Sequence, residues 1–211
     1  MTLRLLAIIF GGYLVGSLPF GVIIGRAWKG VDIRQYGSGN IGFSNALRVL
    51  GWKPAAVVFI GDALKGIVPV VLGQALLRTW NVPRADLWLL LVGLAPILGH
   101  SFSVFLRFRG GRAVTTTLGV LIGLCWQAAL VALVSWLVVV AITRYISLGS
   151  IVAAISVPTY MFLSGKSRDW LILWSAVSLL VILRHLPNMK RLVKGTEVKI
   201  GEKVEVEEKL G

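Results

Sequence analysis

Cysteine is almost absent. Cys125 is the single thiol in 211 residues, so no intrachain disulfide can form. It sits between Leu124 and Trp126 in an apolar stretch. A thiol enclosed by apolar neighbours is a poor nucleophile candidate. Charge is scarce as well, at 15% of residues, and acidic charge is scarcest. Nine Asp and Glu face twenty-two Lys and Arg, for a formal net charge of +13. There are two histidines, His100 and His185, and no Cys/His cluster or G-x-S-x-G elbow. The sequence therefore predicts neither a metal nor a cofactor.

What is abundant is apolar surface, 56% of residues with a mean hydropathy of +0.83. A soluble domain of this size would struggle to hide it, whereas a bilayer accepts it directly. A net charge of this size also suits nucleic-acid binding, but the basic residues lie between and after the apolar runs. That placement argues for a membrane protein and against a nucleic-acid partner. Residues 1–24 have a run too long for a signal peptide, no convincing cleavage site, and the stop charges Arg26 and Lys29.

The expectation is an all-α integral membrane protein, a single polytopic domain over 1–211. It has about seven spans near 3–25, 54–77, 87–105, 113–124, 126–143, 148–164 and 170–184. The stretch 113–143 is too long for one ordinary span. It reads as two short spans turning near Cys125–Gln127 or as one tilted helix. Charge sets the orientation. Arg26, Lys29, Arg34, Arg48, Lys53, Arg107, Arg109, Arg112, Arg144, Arg184, Lys190, Arg191, Lys194, Lys199, Lys203 and Lys209 fall on one side. Arg4, Arg78, Arg84, Lys166 and Arg168 fall on the other, and Lys65 lies within a span. Sixteen against five predicts an external N-terminus and a cytoplasmic C-terminus. The short tail 185–211 alternates over 196–208, as an edge strand or a disordered end would.

Polar chemistry gathers in four segments. In GVDIRQYGSGNIGFSNALRVLGW (30–52), Gly37, Gly39 and Gly42 are interleaved with Ser38, Asn40, Ser44, Asn45 and Arg48. Glycines admit an anion close to backbone N–H groups, and an arginine fork suits phosphate. A helix starting near Phe43 would add its dipole. In GHSFSVFLRFRGGRAVTTTLG (99–119), His100, Arg107, Arg109, Gly110, Gly111 and Arg112 precede a threonine-rich helix start. This reads as a second anion cradle, although Arg107 and Arg109 also suit snorkelling to lipid headgroups. TRYISLGS (143–150) contributes Ser147, and RHLPNMKRLVKGTE (184–197) contributes His185, Asn188, Lys194 and Glu197. Asp62 and Lys65, three apart within a span, share a helix face and could pair.

These segments together resemble the bacterial acyl-phosphate:glycerol-3-phosphate acyltransferase family, known as PlsY. The matching stretches are GSLPFG (16–21), DIRQYGSGNIGFSNALR (32–48), GDALKG (61–66), GHSFSVFLRFRGGRAVTT (99–116), RYISLGS (144–150) and RHLPNMKRLVKGTE (184–197). They run in family order from residue 16 to residue 197. Family members usually have Pro where Ser103 stands, Ala–Thr at Phe43–Ser44, and Lys–Gly–Val–Ala–Thr at Arg112–Thr116. Arg112 keeps the charge and Ser44 the hydroxyl, while Ala113 narrows the backbone freedom of its turn.

The resemblance implies a seven-span inner-membrane enzyme working at the cytoplasmic face. It would move an acyl chain from acyl phosphate to the 1-hydroxyl of glycerol 3-phosphate, with membrane lipid as surroundings. A soluble enzyme that makes acyl phosphate would be a functional partner. On this reading Ser38, Arg48, Ser147, His185 and Asn188 are catalytic. Asn40, Gly42, Ser44, Asn45, Lys65, His100, Arg107, Arg109, Gly110, Gly111, Arg112 and Lys194 hold substrate. Neither histidine is followed five residues on by a carboxylate; Phe105 and Lys190 stand there. The His-x4-Asp signature of the common glycerolipid acyltransferases is thus missing. The proton acceptor is left between His100, His185 and a substrate phosphate oxygen. A transporter for an anionic solute would need internal repeats and broken mid-membrane helices, which the sequence does not display.

Overall fold

A computed structural model describes residues 1–202. Among these residues there are ten α-helices, two short 3₁₀ turns and no strand. The helices are α1 (Thr2–Ser17), α2 (Phe20–Lys29), α3 (Phe43–Leu50), α4 (Trp52–Thr79) and α5 (Ala85–Ser101). They continue with α6 (Val114–Leu124), α7 (Trp126–Thr143), α8 (Ile146–Leu163), α9 (Arg168–Arg184) and α10 (Leu186–Val193). Of the two readings of 196–208, the edge strand is not formed up to residue 202, where the chain is turn and coil. The rest of it lies outside the described residues.

Five stretches are long and apolar enough to cross a bilayer: Thr2–Lys29, Trp52–Thr79, Ala85–Leu106, Trp126–Thr143 and Ile146–Leu163. Helices α9 and α10, bent by 55° at His185, make a sixth when taken together. The apolar run at 113–143 breaks into two helices at Cys125, which excludes a single continuous helix, although α6 is too short to count among the candidate spans. The 11 residues of α6 reach only about 16 Å, whereas the 18 of α7 reach about 27 Å. The N-terminus of α6 therefore lies about 10 Å nearer the shared turn than the end of α7 does.

Helices within a membrane gain nothing from burying apolar surface against each other, so close backbone approach has to hold them. Glycines supply it here. A Cβ at Gly16 would lie 2.3 Å from the Pro96 carbonyl oxygen, and one at Gly99 2.2 Å from that of Tyr13, locking α1 to α5. Gly66 and Gly119 do the same for α4 and α6. Outward side chains such as Leu3, Phe10, Ile142 and Leu163 are exposed and apolar, as a lipid-facing surface requires.

Pro19 interrupts the first span and frees backbone carbonyls in a region without water. The Ser103 hydroxyl donates to the Ser17 carbonyl (2.6 Å), and the Lys65 ammonium donates to that of Leu18 (3.0 Å). Lys65 also pairs with Asp62 at 2.8 Å, with both side chains 1% exposed. Lys65 is thus committed to the break between α1 and α2. It does not reach the cavity described below, so the substrate-holding role expected of it is corrected to a structural one.

Candidate active site

The first polar loop is built around a buried asparagine. Asn45 Nδ2 donates to the carbonyls of Ile33 (2.8 Å), Asn40 (2.9 Å) and Tyr36 (3.2 Å). Its Oδ1 accepts the Ser38 N–H at 2.9 Å. Both of its N–H donors are thus engaged within the loop and none is left for a phosphate, which replaces its expected role as a phosphate contact with that of shaping the loop. Gly37 has φ +59°, and a Cβ there would strike Asn45 Oδ1. The Asn40 side chain accepts the Gly42 N–H at 2.9 Å, and α3 then begins at Phe43, where the sequence predicts a helix.

The second polar segment differs from its expectation in two ways. The N–H groups of Gly110 and Gly111 donate to the carbonyls of Ser101 (3.2 Å) and His100 (2.9 Å), so neither is free for an anion. Their own carbonyls accept from Arg184 at 2.6 and 3.0 Å. The glycines therefore pack the loop, and the open donors belong to the start of α6, just past Arg112. In addition, the three arginines separate. Arg112 lines the cavity below, while Arg107 and Arg109 line a different one. Lys194 is exposed and lines neither.

The main cavity has a volume of about 490 Å³. Its polar end carries Asn40, Gly42, Ser44, Asp62, His100, Arg112, Thr115, Ser147 and His185. From there it runs between α6, α7, α8 and α9 past Leu118, Leu133, Trp136, Ala153 and Val177 to Val157 and Trp174. On α8, Ser147 and Val157 are ten residues apart, about 15 Å of helix. A compartment with a cationic mouth and an apolar bore suits an amphiphile with an anionic head.

Burial pushes Arg112 down to about 10, which still leaves it cationic at neutral pH. Burial also pushes His185 down to about 4, and Arg112 and Arg184 add to the fall. His185 Nδ1 lies 2.8 Å from the Val181 carbonyl. A carbonyl can only accept, so Nδ1 carries the proton and Nε2 is left as an acceptor. His100 is fully buried, with its Nδ1 3.3 Å from the Thr116 hydroxyl and 3.7 Å from Asp62 Oδ1. A carboxylate therefore does stand near a histidine, across two helices, but beyond hydrogen-bond reach and already paired with Lys65.

Behind the mouth lies a group that the sequence names in its fourth polar segment but to which it assigns no role. The Glu197 side chain is 1% exposed. Its Oε1 accepts from Asn188 Nδ2 (2.7 Å) and from the Ser147 hydroxyl (2.9 Å), and its Oε2 accepts from Arg191 Nε (2.7 Å). Arg48 Nη2 stands 4.0 Å away and donates to the Val198 carbonyl at 3.1 Å. Burial pushes the Glu197 carboxyl up, but these donors outweigh it and hold the group below its ordinary value. Burial lowers Arg48, which Glu197 partly offsets. Ser147, Asn188 and Arg48 thus meet at one carboxylate supplied by the tail. The sequence signal was a lone acid at the end of a basic run.

Residues 6–195 match the family described as glycerol-3-phosphate acyltransferase. The glycerol-3-phosphate acyltransferase of Desulforamulus reducens is 44% identical over 196 residues, which cover 93% of this chain and 95% of that one. A relative of the same name from Synechococcus sp. is 42% identical over 203 residues, covering 96% and 98%. The crystal structure of PlsY, an integral membrane glycerol 3-phosphate acyltransferase, in its glycerol 3-phosphate form superposes with a TM-score of 0.86. It is 37% identical and covers 94% of this chain and 96% of that one. The lysophosphatidic acid form of PlsY superposes at 0.83 with 36% identity. The chain belongs to the glycerol-3-phosphate acyltransferase family, the integral membrane acyltransferases of the PlsY kind.

Proposed function

We propose that this enzyme transfers an acyl chain from acyl phosphate to the 1-hydroxyl of glycerol 3-phosphate at the cytoplasmic face of the inner membrane. The observation that carries this reading is the shape and polarity of the main cavity, cationic at the mouth and apolar for about 15 Å behind it. An acyl phosphate fits with its tail in the bore and its head at Arg112, Ser44 and the start of α6. Glycerol 3-phosphate, also an anion, completes the mouth near Ser147, His185 and the Glu197 cluster. The substrate hydroxyl oxygen forms a bond to the acyl carbonyl carbon, and the bond from that carbon to the phosphate oxygen breaks. Inorganic phosphate leaves, and a substrate phosphate oxygen takes the hydroxyl proton. The donor is already an activated anhydride, so positioning and charge stabilisation suffice and no enzyme nucleophile is needed.

Purified protein in detergent, given glycerol 3-phosphate with either acyl phosphate or acyl-CoA, tests the donor. Lysophosphatidic acid is expected with acyl phosphate alone. Product from acyl-CoA alone, or from neither donor, would exclude this reading.

A further inference from the structure

The structure has a second cavity, of about 680 Å³, which shares no lining residue with the first. It lies between α2 and the turn after α5. Four arginines face it: Arg26, Arg34, Arg107 and Arg109. Asp32 is the acid beside them, accepting from Arg34 Nε at 2.9 Å and lying 3.4 Å from Arg26 Nη2. The Arg34 hydrogen bond holds the Asp32 carboxyl down at about 2, so it is fully ionised and offsets a single charge. Arg107 and Arg109 have no acidic partner among the described residues.

The turn that presents these two side chains is specified closely. Arg107 (φ +51°) and Phe108 (φ +61°) are consecutive left-handed residues, a costly conformation for side chains with a Cβ. It is pinned because the Leu106 and Phe108 N–H groups both donate to the Ser103 carbonyl, at 3.1 and 2.8 Å. The Ser103 hydroxyl in turn is anchored on Ser17. The rim beside the arginines is apolar and open, with Ile23 47%, Phe105 56% and Phe108 61% exposed.

We propose that this cavity is a binding site for the headgroup of an acidic phospholipid, separate from the active site. A phosphodiester matches guanidinium forks. The exposed apolar rim favours a ligand whose glycerol backbone continues into acyl chains, rather than a free phosphate ion. The inference does not depend on which acyl donor the enzyme uses.

Native mass spectrometry of the full-length protein, released from detergent with equal amounts of dioleoyl phosphatidylglycerol and dioleoyl phosphatidylcholine, tests it. The protein should keep phosphatidylglycerol in preference. Arg107→Gln/Arg109→Gln should weaken that preference by about fivefold per arginine removed. The single variant Arg26→Gln, at an exposed position, should weaken it too and covers the case in which the double variant fails to fold. Lys190→Gln/Lys194→Gln removes the same charge from α10 and the residue that follows it and should leave the preference in place. Equal retention of the two lipids, an unchanged preference in the arginine variants, or an equal loss in the lysine control would each overturn the site. Displacement of the lipid by millimolar inorganic phosphate would reassign it to a free anion.

Discussion

A carboxylate that is 1% exposed is stable only when donors replace its water, and Glu197 has found three of them plus a nearby cation. Removing its charge leaves Arg48 and Arg191 without compensation and loosens Ser147 and Asn188 together. Glu197→Gln is expected to lower kcat/KM by about 10- to 100-fold, the range for losing a charged hydrogen-bond partner, while the helical circular dichroism persists. A variant with a lower KM for glycerol 3-phosphate would instead mean that Glu197 competes with substrate for the arginines.

His185 belongs to the same scale. With its pKa pushed down to about 4, it is neutral at working pH, and Nε2 is a weak base. A depressed histidine loses its neutral form only as pH falls through the folded value. The acid limb of kcat is therefore expected near pH 4 rather than near 6.5. His185→Asn, which keeps a polar side chain there, is expected to stay within about tenfold of wild type. A base would be worth about 10²–10⁴-fold. A limb at about 6.5, with His185→Asn no better than His185→Ala, would assign the proton to His185.

At the scale of elements, the start of α6 carries the clearest tension between residue and backbone. Ala113 adopts φ +58°, and its Cβ makes that conformation cost about 1 kcal/mol or more. Ala113→Gly relieves this at the expense of a more flexible unfolded chain, about 0.4–1 kcal/mol. Its melting temperature in detergent is therefore expected to be no lower than that of wild type, and that of Ala113→Val clearly lower. Equal melting temperatures for Ala113→Val and wild type would show that the turn bears no strain. This turn also explains what sequence reading could and could not extract. The start of α3 at Phe43 was legible, because it follows from local patterning, whereas the break at Cys125 was one of two readings that the apolar run left open. The parting of Arg112 from Arg107 and Arg109 was not legible, because the Gly110 and Gly111 N–H groups tie the intervening chain to the Ser101 and His100 carbonyls and no periodicity announces that. Asn45 was equally opaque. The same amide serves a ligand or a loop, and only the positions of Ile33, Tyr36 and Asn40 around it decide which.

At the scale of the whole molecule, apolar content made the membrane fold legible, whereas the number of crossings was less so. Five helical stretches are long enough, and α6 falls short. The four polar segments were readable as gathering on one face. The role of Glu197 was not, because Ser147 lies fifty residues away in sequence and only the fold brings them together. The orientation rests on the bias of cations toward the loops and the tail. We expect a cytoplasmic C-terminus and an external N-terminus for the seven-crossing arrangement. A C-terminal fluorescent reporter that lights only in the cytoplasm should glow, while an alkaline phosphatase fused there should stay inactive. Active phosphatase would invert the assignment.

The closeness of mouth and bore has a consequence for the donor lipid. Arg112, two residues before α6, shares the polar end of the cavity with Ser147 on the first turn of α8, and the apolar lining begins directly beyond them. An acyl phosphate that meets the cation there leaves its chain among helices and not in water. Each methylene so sheltered avoids roughly 0.8 kcal/mol of exposure, so the head is reached without drawing the chain out of apolar surroundings.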